Sequence, residues 1–266
     1  MSANMLLLAA LLLLSSLHLG GSGPIHEAHP ELLGLLHNAE TLEELMTKDY
    51  GLQEGDIIIK KDRNAADRKW SSLQIPYEIN PNLEARTDEI LAAFKMVSKN
   101  TCLTFRKRTT EKDYIAFVSS RGCASYVGPI GGRQGVHVGP TCMVGNIVHE
   151  ILHALGFYHE HTRQDRKDFI TIVSENIMKG RERNFKMQVG KTFQLPYDLS
   201  SIMHYGSTFF STNGRPTIKA KVKEKDMGQR VRMTSIDIQR VRSLYNCDSA
   251  ENQKKTSEHE KKADEV

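Results

Sequence analysis

The residues best suited to chemistry lie in one short stretch, VHEILHALGFYHEHTRQDR, at positions 148–166. Four histidines and two glutamates stand there among Val, Ile, Leu, Ala and Phe. On a helix, His149 and His153 lie on one face one turn apart, so their imidazoles can bind the same metal ion. Glu150 follows the first histidine, and from there its carboxylate can reach a ligand of the ion without binding the ion. The pattern predicts metal chemistry.

The third candidate ligand is His159, which follows Gly156 by three positions. The glycine lets the chain leave the helix in a conformation that is costly for residues with a Cβ atom. A structural zinc site is closed by four protein ligands, whereas a hydrolytic site keeps a water whose pKa falls towards 7. The alternative of hydrogen-bonded core histidines is weak, because the chain matches H-E-x-x-H-x-x-G-x-x-H at every defined position. We therefore predict a catalytic site with one Zn²⁺ per chain.

Two further segments extend this motif. The residues from His159 onward read H-E-x-x-R-x-D-R, and Ser-Ile-Met-His-Tyr follows at 201–205. A lone methionine usually packs in a core, but the position of Met203 after the zinc motif resembles the methionine turn of the metzincins, an apolar floor under the ligands. Together the segments resemble the astacin family of zinc endopeptidases and, within it, the short fish enzymes of the hatching-enzyme and egg-protease type. The resemblance covers residues 64–247.

This resemblance implies roles for individual residues. Glu150 would be the general base that takes a proton from water before a peptide carbonyl is attacked. Tyr205 would be an additional zinc ligand that moves to stabilise the oxyanion. Glu160 would bind the buried amino terminus of the mature enzyme.

The implied fold is α+β. Its N-terminal part has a twisted sheet and helices, and its C-terminal part is mostly irregular with a final helix. The even cysteine count favours two disulfides in an exported protein, and a catalytic thiol is the weaker alternative. No close C-x-x-C pair indicates a zinc knuckle. The resemblance implies the pairs Cys102–Cys247 and Cys123–Cys142.

Patterns before the motif predict elements that would position it. Residues 73–79 alternate like a strand, with Pro76 expected at a sheet edge. Residues 88–99 predict a helix with Thr87 as its N-cap. The apolar face of this helix would contain Ile90, Leu91, Phe94 and Val97.

Two short strands are predicted at 114–118 and 135–139, and the motif helix is expected to begin between residues 141 and 146. An exposed strand at 132–138 would be able to pair with an extended substrate by main-chain hydrogen bonds. The glycines of that segment equally indicate a loop.

The two ends of the chain are expected to lie outside the domain. Residues 1–20 predict a secretory signal, because their ten-residue apolar run is too short to span a membrane and small residues follow it. No later run is long and apolar enough for a span. Residues 248–266 are polar, lack aromatic residues and predict a disordered tail.

Residues 21–63 are expected to be a pro-segment. They carry nine acidic and four basic residues, a net charge of −5, which leaves +9 for the rest of a chain whose total is +4. The basic cluster Lys-Lys-Asp-Arg at 60–63 is either a solvated turn or a site for a trypsin-like or furin-like protease. The charge asymmetry favours cleavage near Arg63, so that residues 64–247 form the protease domain.

The pro-segment contains a candidate inhibitor of the site. In the astacin pro-segment, an F-x-G-D motif places its aspartate on the zinc. Here Gly55 and Asp56 match that motif, whereas Gln53 stands where the aromatic residue is expected. An ordinary Gly-Asp turn is the alternative interpretation.

Other function classes are less compatible with the sequence. A secreted zinc-containing binding protein without protease activity would not need Glu150. A nucleic-acid binder could use the basic residues at 219–223 and 230–232, but acids lie nearby and aromatic stacking partners are missing there. We expect a secreted protein, extracellular or in secretory granules, that acts on protein substrates. Egg-coat glycoproteins are the substrates that the resemblance implies, with no nucleic-acid partner.

Overall fold

The computed structural model describes residues 52–58, 69–223 and 226–249. Its strands are β1 (Leu52–Gln53), β2 (Ile57–Ile58), β3 (Gln74–Ile79), β4 (Thr104–Lys107), β5 (Tyr114–Ser119), β6 (Ala124–Ser125), β7 (Arg133–Val138), β8 (Ile170–Ile172) and β9 (Ile218–Ala220). Its α-helices are α1 (Thr87–Ser98), α2 (Val144–Leu155) and α3 (Ser235–Tyr245). Short 3-10 helices lie at Pro81–Arg86, Glu160–Thr162, Arg166–Asp168, Ser174–Asn176 and Glu182–Phe185.

Seven of the strands in these ranges form one mixed sheet in the order β1-β2-β6-β7-β5-β3-β4. Its centre is parallel, since β3 pairs with β4 and β5, and β5 pairs with β7. β6 is antiparallel to β7, and β2 lies parallel to β6. The apolar run of β5 is typical of a central parallel strand that is buried on both faces. The strands predicted at 73–79, 114–118 and 135–139 are confirmed, apart from their ends.

The prediction that Pro76 lies on an edge strand is wrong, because β3 has a neighbour on each side. The carbonyl oxygens of Leu73 and Tyr77 accept hydrogen bonds from the amides of Thr104 and Arg108, on the β4 side. Because backbone polar groups alternate in direction along a strand, the backbone nitrogen of Pro76 faces β5. Pairing with β5 starts only at Tyr77↔Ile115. The missing N–H of proline therefore falls where no ladder bond is needed.

Helix α1 lies close to its predicted position but differs at its start. Thr87 is the first helical residue and not the N-cap, because the chain enters from the 3-10 helix Pro81–Arg86. Asn80 caps that segment, and its Oδ1 accepts a hydrogen bond from the amide of Asn82 at 3.0 Å. Leu91 is 42% exposed and does not belong to the buried face as predicted. The other three expected face residues are buried.

Helix α2 carries the histidine motif through the centre of the domain. All of its residues from Gly145 to Leu155 are buried, and it packs against α1. Each fully buried Ile or Leu side chain in such a core contributes about 1.5–3 kcal/mol. The helix is therefore held on all sides, and the histidines on it have little freedom to move.

The part of the chain after α2 contains little regular structure, apart from the short pair β8–β9 and the final helix. A capping box joins Thr234 and Asp237 at the start of α3. The carboxylate of Asp237 also accepts hydrogen bonds from Ser201 Oγ at 2.5 Å and from the amide of Ile202 at 3.0 Å. The final helix thus fixes the segment that contains Met203. The α+β prediction is confirmed.

Both implied disulfides are present. Cys102 pairs with Cys247, which ties the end of the α1 region to the end of α3, and Cys123 pairs with Cys142 just before α2. No cysteine is left free.

The expected signal at 1–20, the basic cluster at 60–63 and the tail from residue 250 onward lie outside the described residues. Within the part of the chain that is described, no helix combines the length and the apolar character needed to cross a membrane.

Candidate metal centre

Helix α2 and the turn after it bring three histidines to one point. The helix ends at Gly156 with φ at 117°, a left-handed conformation that suits glycine, and its amide donates to the carbonyl of His153 at 2.8 Å. The chain then returns, and His159 faces the helix. The Nε2 atoms lie 3.1 Å apart for His149 and His153, 3.1 Å for His149 and His159, and 3.3 Å for His153 and His159.

The other ring nitrogen of each histidine has its own acceptor. His149 Nδ1 lies 2.7 Å from the carbonyl of Ile202, and His153 Nδ1 lies 2.7 Å from the carbonyl of Phe157. His159 Nδ1 lies 2.8 Å from Glu54 Oε2. A carbonyl or carboxylate oxygen only accepts, so each Nδ1 donates a proton and each Nε2 points into the group, where it can bind a metal ion once it carries no proton.

These three Nε2 atoms fit a zinc ion. Zinc binds histidine nitrogen at about 2.0–2.1 Å in tetrahedral geometry, which places two nitrogen ligands about 3.3–3.4 Å apart. The observed separations of 3.1–3.3 Å are close to that value. Lone pairs that converge in this way repel one another unless a cation lies between them, and the Nδ1 bonds are the outer contacts that orient metal-binding histidines.

Asp56 joins the histidines from the turn between β1 and β2. Its Oδ2 lies 3.2 Å from His149 Nε2 and 3.3 Å from His159 Nε2, and its Oδ1 lies 3.5 Å from His153 Nε2. All four side chains are buried, and together they form a group able to hold a metal ion. Asp56 Oδ1 has no hydrogen-bond partner among the described residues. The carboxylate therefore faces the position that a fourth ligand would occupy.

The electrostatics of this group favour a positive charge at its centre. Burial raises the pKa of Asp56, but the nearby His159 and His153 outweigh burial and hold that pKa well below its usual range. Burial lowers the pKa of His159, yet Asp56 and Glu54 outweigh it and raise the pKa to about 9. Burial, with Arg230 nearby, lowers the pKa of His149 well below its ordinary value. The carboxylates of Asp56 and Glu54 attract a cation, and His149 stays neutral, so its Nε2 can bind that cation.

The residues with expected catalytic roles surround this group. Glu150 is buried on α2 beside His149 and does not belong to the four residues that converge. The Tyr205 hydroxyl donates to the backbone carbonyl of Glu54, and its ring stacks on His161 with centroids 3.8 Å apart. Met203 is buried in the main core, as an apolar floor requires.

Glu160 lies immediately after the third histidine but faces another region. Its Oε1 accepts hydrogen bonds from the amide of Asp198 at 2.7 Å, from Arg240 at 2.6 Å and from Arg163 at 3.2 Å. Burial raises the pKa of Glu160, and the two arginines oppose that effect. The residue lines a cavity of about 500 Å³ between α2, α3 and the loop around residue 190.

Residues 52–58 also extend the sheet next to the histidines. The amide of Ser125 in β6 donates to the carbonyl of Asp56 at 2.9 Å, and Ile57 pairs with Ser125 in parallel. The prediction of an exposed strand at 132–138 is wrong, because β7 lies between β5 and β6. β6 has β7 on one side, and β2 lies along its other side.

Sequence reasoning assigned no role to two residues of the site. Glu54 contacts His159. The only sign of this in the sequence is that Glu54 is acidic and lies two positions before Asp56, in a segment that matches a known motif. His161 supports the Tyr205 ring, and its position two residues after His159 gave no sign of that contact.

Comparison with known proteins agrees with this geometry. Residues 62–246 match the family model described as Astacin, a peptidase family. Zinc metalloproteinase nas-4 of Caenorhabditis elegans is 37% identical over 216 residues, which cover 73% of this chain and 69% of that protein. Blastula protease 10 of Paracentrotus lividus is 38% identical over 215 residues, which cover 74% of this chain and 36% of that protein.

A solved structure agrees as well. High choriolytic enzyme 1, a hatching enzyme zinc-protease from Oryzias latipes, is 36% identical, with a TM-score of 0.65 over 72% of this chain and 100% of that chain. The family match spans helix α2, the third histidine and the Ser-Ile-Met-His-Tyr segment. The chain therefore belongs to the astacin family, and it is a zinc metalloendopeptidase.

Proposed function

We propose that this zinc endopeptidase is made as a latent, secreted precursor whose pro-segment blocks the metal site. The observation that carries the proposal is the position of Asp56, whose carboxylate lies 3.2–3.5 Å from all three histidine Nε2 atoms. A carboxylate at the fourth position excludes the water that peptide hydrolysis requires. Pro-segment removal would then open that position.

In the opened site, zinc would acidify water and polarise the peptide carbonyl. Glu150 is the general base, since it neighbours His149 without joining the ligand group. The same carboxyl group can then give the proton to the leaving amine. Tyr205 would donate its hydroxyl to the oxyanion once the carbonyl of Glu54 no longer accepts it.

The pro-segment also covers the place where we expect substrate. Residues 56–57 add to the edge of β6 by main-chain contacts, and an extended peptide can bind a sheet edge in the same manner. Gly55 fits there because it lacks a side chain. A Cβ atom at this position would lie 2.7 Å from Phe210 Cζ and 3.1 Å from the Tyr205 hydroxyl.

Cleavage near Arg63 by a trypsin-like or furin-like protease would activate the enzyme. The new amino terminus at or near Asn64 is then expected to bind Glu160. In support, Lys69 Nζ donates to the carbonyl of Leu244 at 3.2 Å, and Leu244 lines the same cavity as Glu160. The five residues 64–68, which precede Lys69, span up to about 17 Å when extended. This length is enough for the new amino terminus to enter such a cavity.

We infer egg-coat glycoproteins as the physiological substrate class. The support is the similarity to the hatching enzyme of Oryzias latipes. The part of the chain after residue 63, with a net charge of +9, also attracts anionic surfaces over long range. The apolar run near the amino terminus supports export to the extracellular space or to secretory granules.

The test begins with full-length precursor, before and after limited trypsin treatment, with casein and isolated egg envelopes as substrates. We expect hydrolysis of both only after cleavage, loss with a zinc chelator and recovery with added zinc. Cleaved Glu150→Gln protein is the matched control and should release no peptides. Zinc binding without any hydrolysis in the cleaved parent protein would instead identify a zinc-containing binding protein.

A further inference from the structure

Glu54 places a second pro-segment carboxylate at the metal centre. Its side chain is 0% exposed, and its Oε2 lies 2.8 Å from His159 Nδ1. On the opposite side of the same ring, Asp56 Oδ2 lies 3.3 Å from His159 Nε2. The third histidine is therefore held between two acidic side chains of the pro-segment.

The other two histidines are oriented differently. Backbone carbonyls of the protease domain, at Ile202 and Phe157, accept the Nδ1 protons of His149 and His153. Only His159 has an Nδ1 acceptor that the pro-segment supplies. This acceptor leaves when the pro-segment leaves, whereas the other two remain.

The local backbone aims Glu54 at this ring. Glu54 has φ at 50°, a left-handed conformation that non-glycine residues seldom adopt, and Gly55 follows with φ at 79°. The carbonyl of Glu54 accepts hydrogen bonds from the Tyr205 hydroxyl and, at 3.0 Å, from the amide of Asp56. This tight turn brings the two acidic side chains to opposite edges of one imidazole.

A positive charge nearby would stabilise the buried carboxyl group of Glu54. Its Oε1 is buried without a hydrogen-bond partner among the described residues. An ionised carboxylate in such a place is costly unless it is paired. A divalent cation on the far side of His159 would provide the charge, and the two carboxylates would balance it.

We propose that Glu54 is a zinc-retaining residue of the precursor, which orients His159 through Nδ1 and makes the precursor bind zinc more tightly than the cleaved enzyme does. The inference rests on the proposed function, in which the three histidines hold zinc and Asp56 closes the site. A carboxylate behind a metal-binding histidine strengthens that nitrogen as a ligand and fixes its orientation. By thermodynamic reciprocity, zinc would strengthen the docking of the pro-segment by the same factor.

The experiment uses full-length precursor in which the basic residues at 60–63 are replaced, so that the pro-segment stays attached. Zinc affinity is measured by competition with a chromophoric chelator, and the His159 Nδ1–H resonance by NMR of ¹⁵N-histidine-labelled protein. Glu54→Gln keeps the side-chain shape, and Gln53→Ala, at the end of β1 directly before Glu54, is the matched control. We expect Glu54→Gln to weaken zinc binding by about 10- to 100-fold and to move that resonance upfield, with the control unchanged.

Unchanged affinity together with an unchanged resonance would overturn the role of Glu54 while leaving the proposed function intact. Full peptidase activity in uncleaved Glu54→Gln precursor would also overturn it, because Glu54 would then act by docking the pro-segment. Failure of the parent precursor to bind zinc would instead refute the proposed function.

Discussion

Replacing Asp56 with alanine is expected to activate the precursor before any cleavage. The Asp56 carboxylate is 2% exposed and lies within 3.5 Å of all three histidine Nε2 atoms. A contact with a charged group of this kind contributes about 1.5–3 kcal/mol to docking. Since each 1.4 kcal/mol changes an equilibrium constant tenfold, the undocked fraction should rise by about tenfold to 150-fold.

The assay is cleavage of a quenched fluorescent peptide by precursor with the basic residues at 60–63 replaced. The expected result is a turnover rate that rises in proportion to the undocked fraction and stays below that of the cleaved enzyme. Asp56→Asn removes the charge but keeps the size, so its activity should lie between those of the parent and Asp56→Ala. Gln53→Ala is the matched control, since Gln53 ends β1 directly before the turn and is not part of the metal-binding group.

One outcome would refute this reasoning directly. If Asp56→Ala precursor binds one zinc per chain and remains as inactive as the parent, the carboxylate does not maintain latency. The main-chain pairing of residues 56–57 with β6 would then be the contact that blocks the site.

Three further outcomes are expected for the protease domain. Glu150→Gln should keep zinc and fold but abolish hydrolysis by the cleaved enzyme, and zinc content measured beside turnover checks both; retained turnover would exclude the general-base role. Tyr205→Phe should lower kcat by about 10²–10³ with little change in KM, because its hydroxyl acts chiefly in the transition state; equal kinetics would remove it from the mechanism. Denaturant unfolding of paired Cys→Ala variants should show a loss of about 5 kcal/mol for Cys102–Cys247, which closes 145 residues, and about 3 kcal/mol for Cys123–Cys142, which closes 19; a larger loss for the shorter loop would contradict the chain-entropy argument.

The histidines of the metal centre could be predicted because their arrangement is local. His149 and His153 are related by one helical turn, and Gly156 marks the point where the chain leaves the helix. Such relations depend on backbone geometry over ten residues. The same holds for α1 and β5, whose apolar patterns are short and regular.

Contacts between segments far apart in the chain were harder to predict from the sequence. The ring of His159 meets Glu54 across 105 positions and Asp56 across 103. Asp56 could be singled out only because it matched a known motif, whereas nothing in the sequence indicated where Glu54 would point. The errors about Pro76 and the strand at 132–138 have a similar origin, since strand neighbours in a parallel sheet depend on connections far apart in the chain.

Under the proposed function, the contacts of residues 54–56 would explain why a cut outside the site releases all of them in one step. Residues 54–56 supply the carboxylate at the fourth ligand position, the Nδ1 acceptor of His159 and the carbonyl that holds the Tyr205 hydroxyl. A substitution at Asp56 removes the first contact and one at Glu54 removes the second, but only departure of the whole segment removes all three. Under the proposed function, Asp56→Ala precursor still restrains Tyr205 whenever the pro-segment is docked. Its activity should therefore reach that of the cleaved enzyme only when the pro-segment itself is gone.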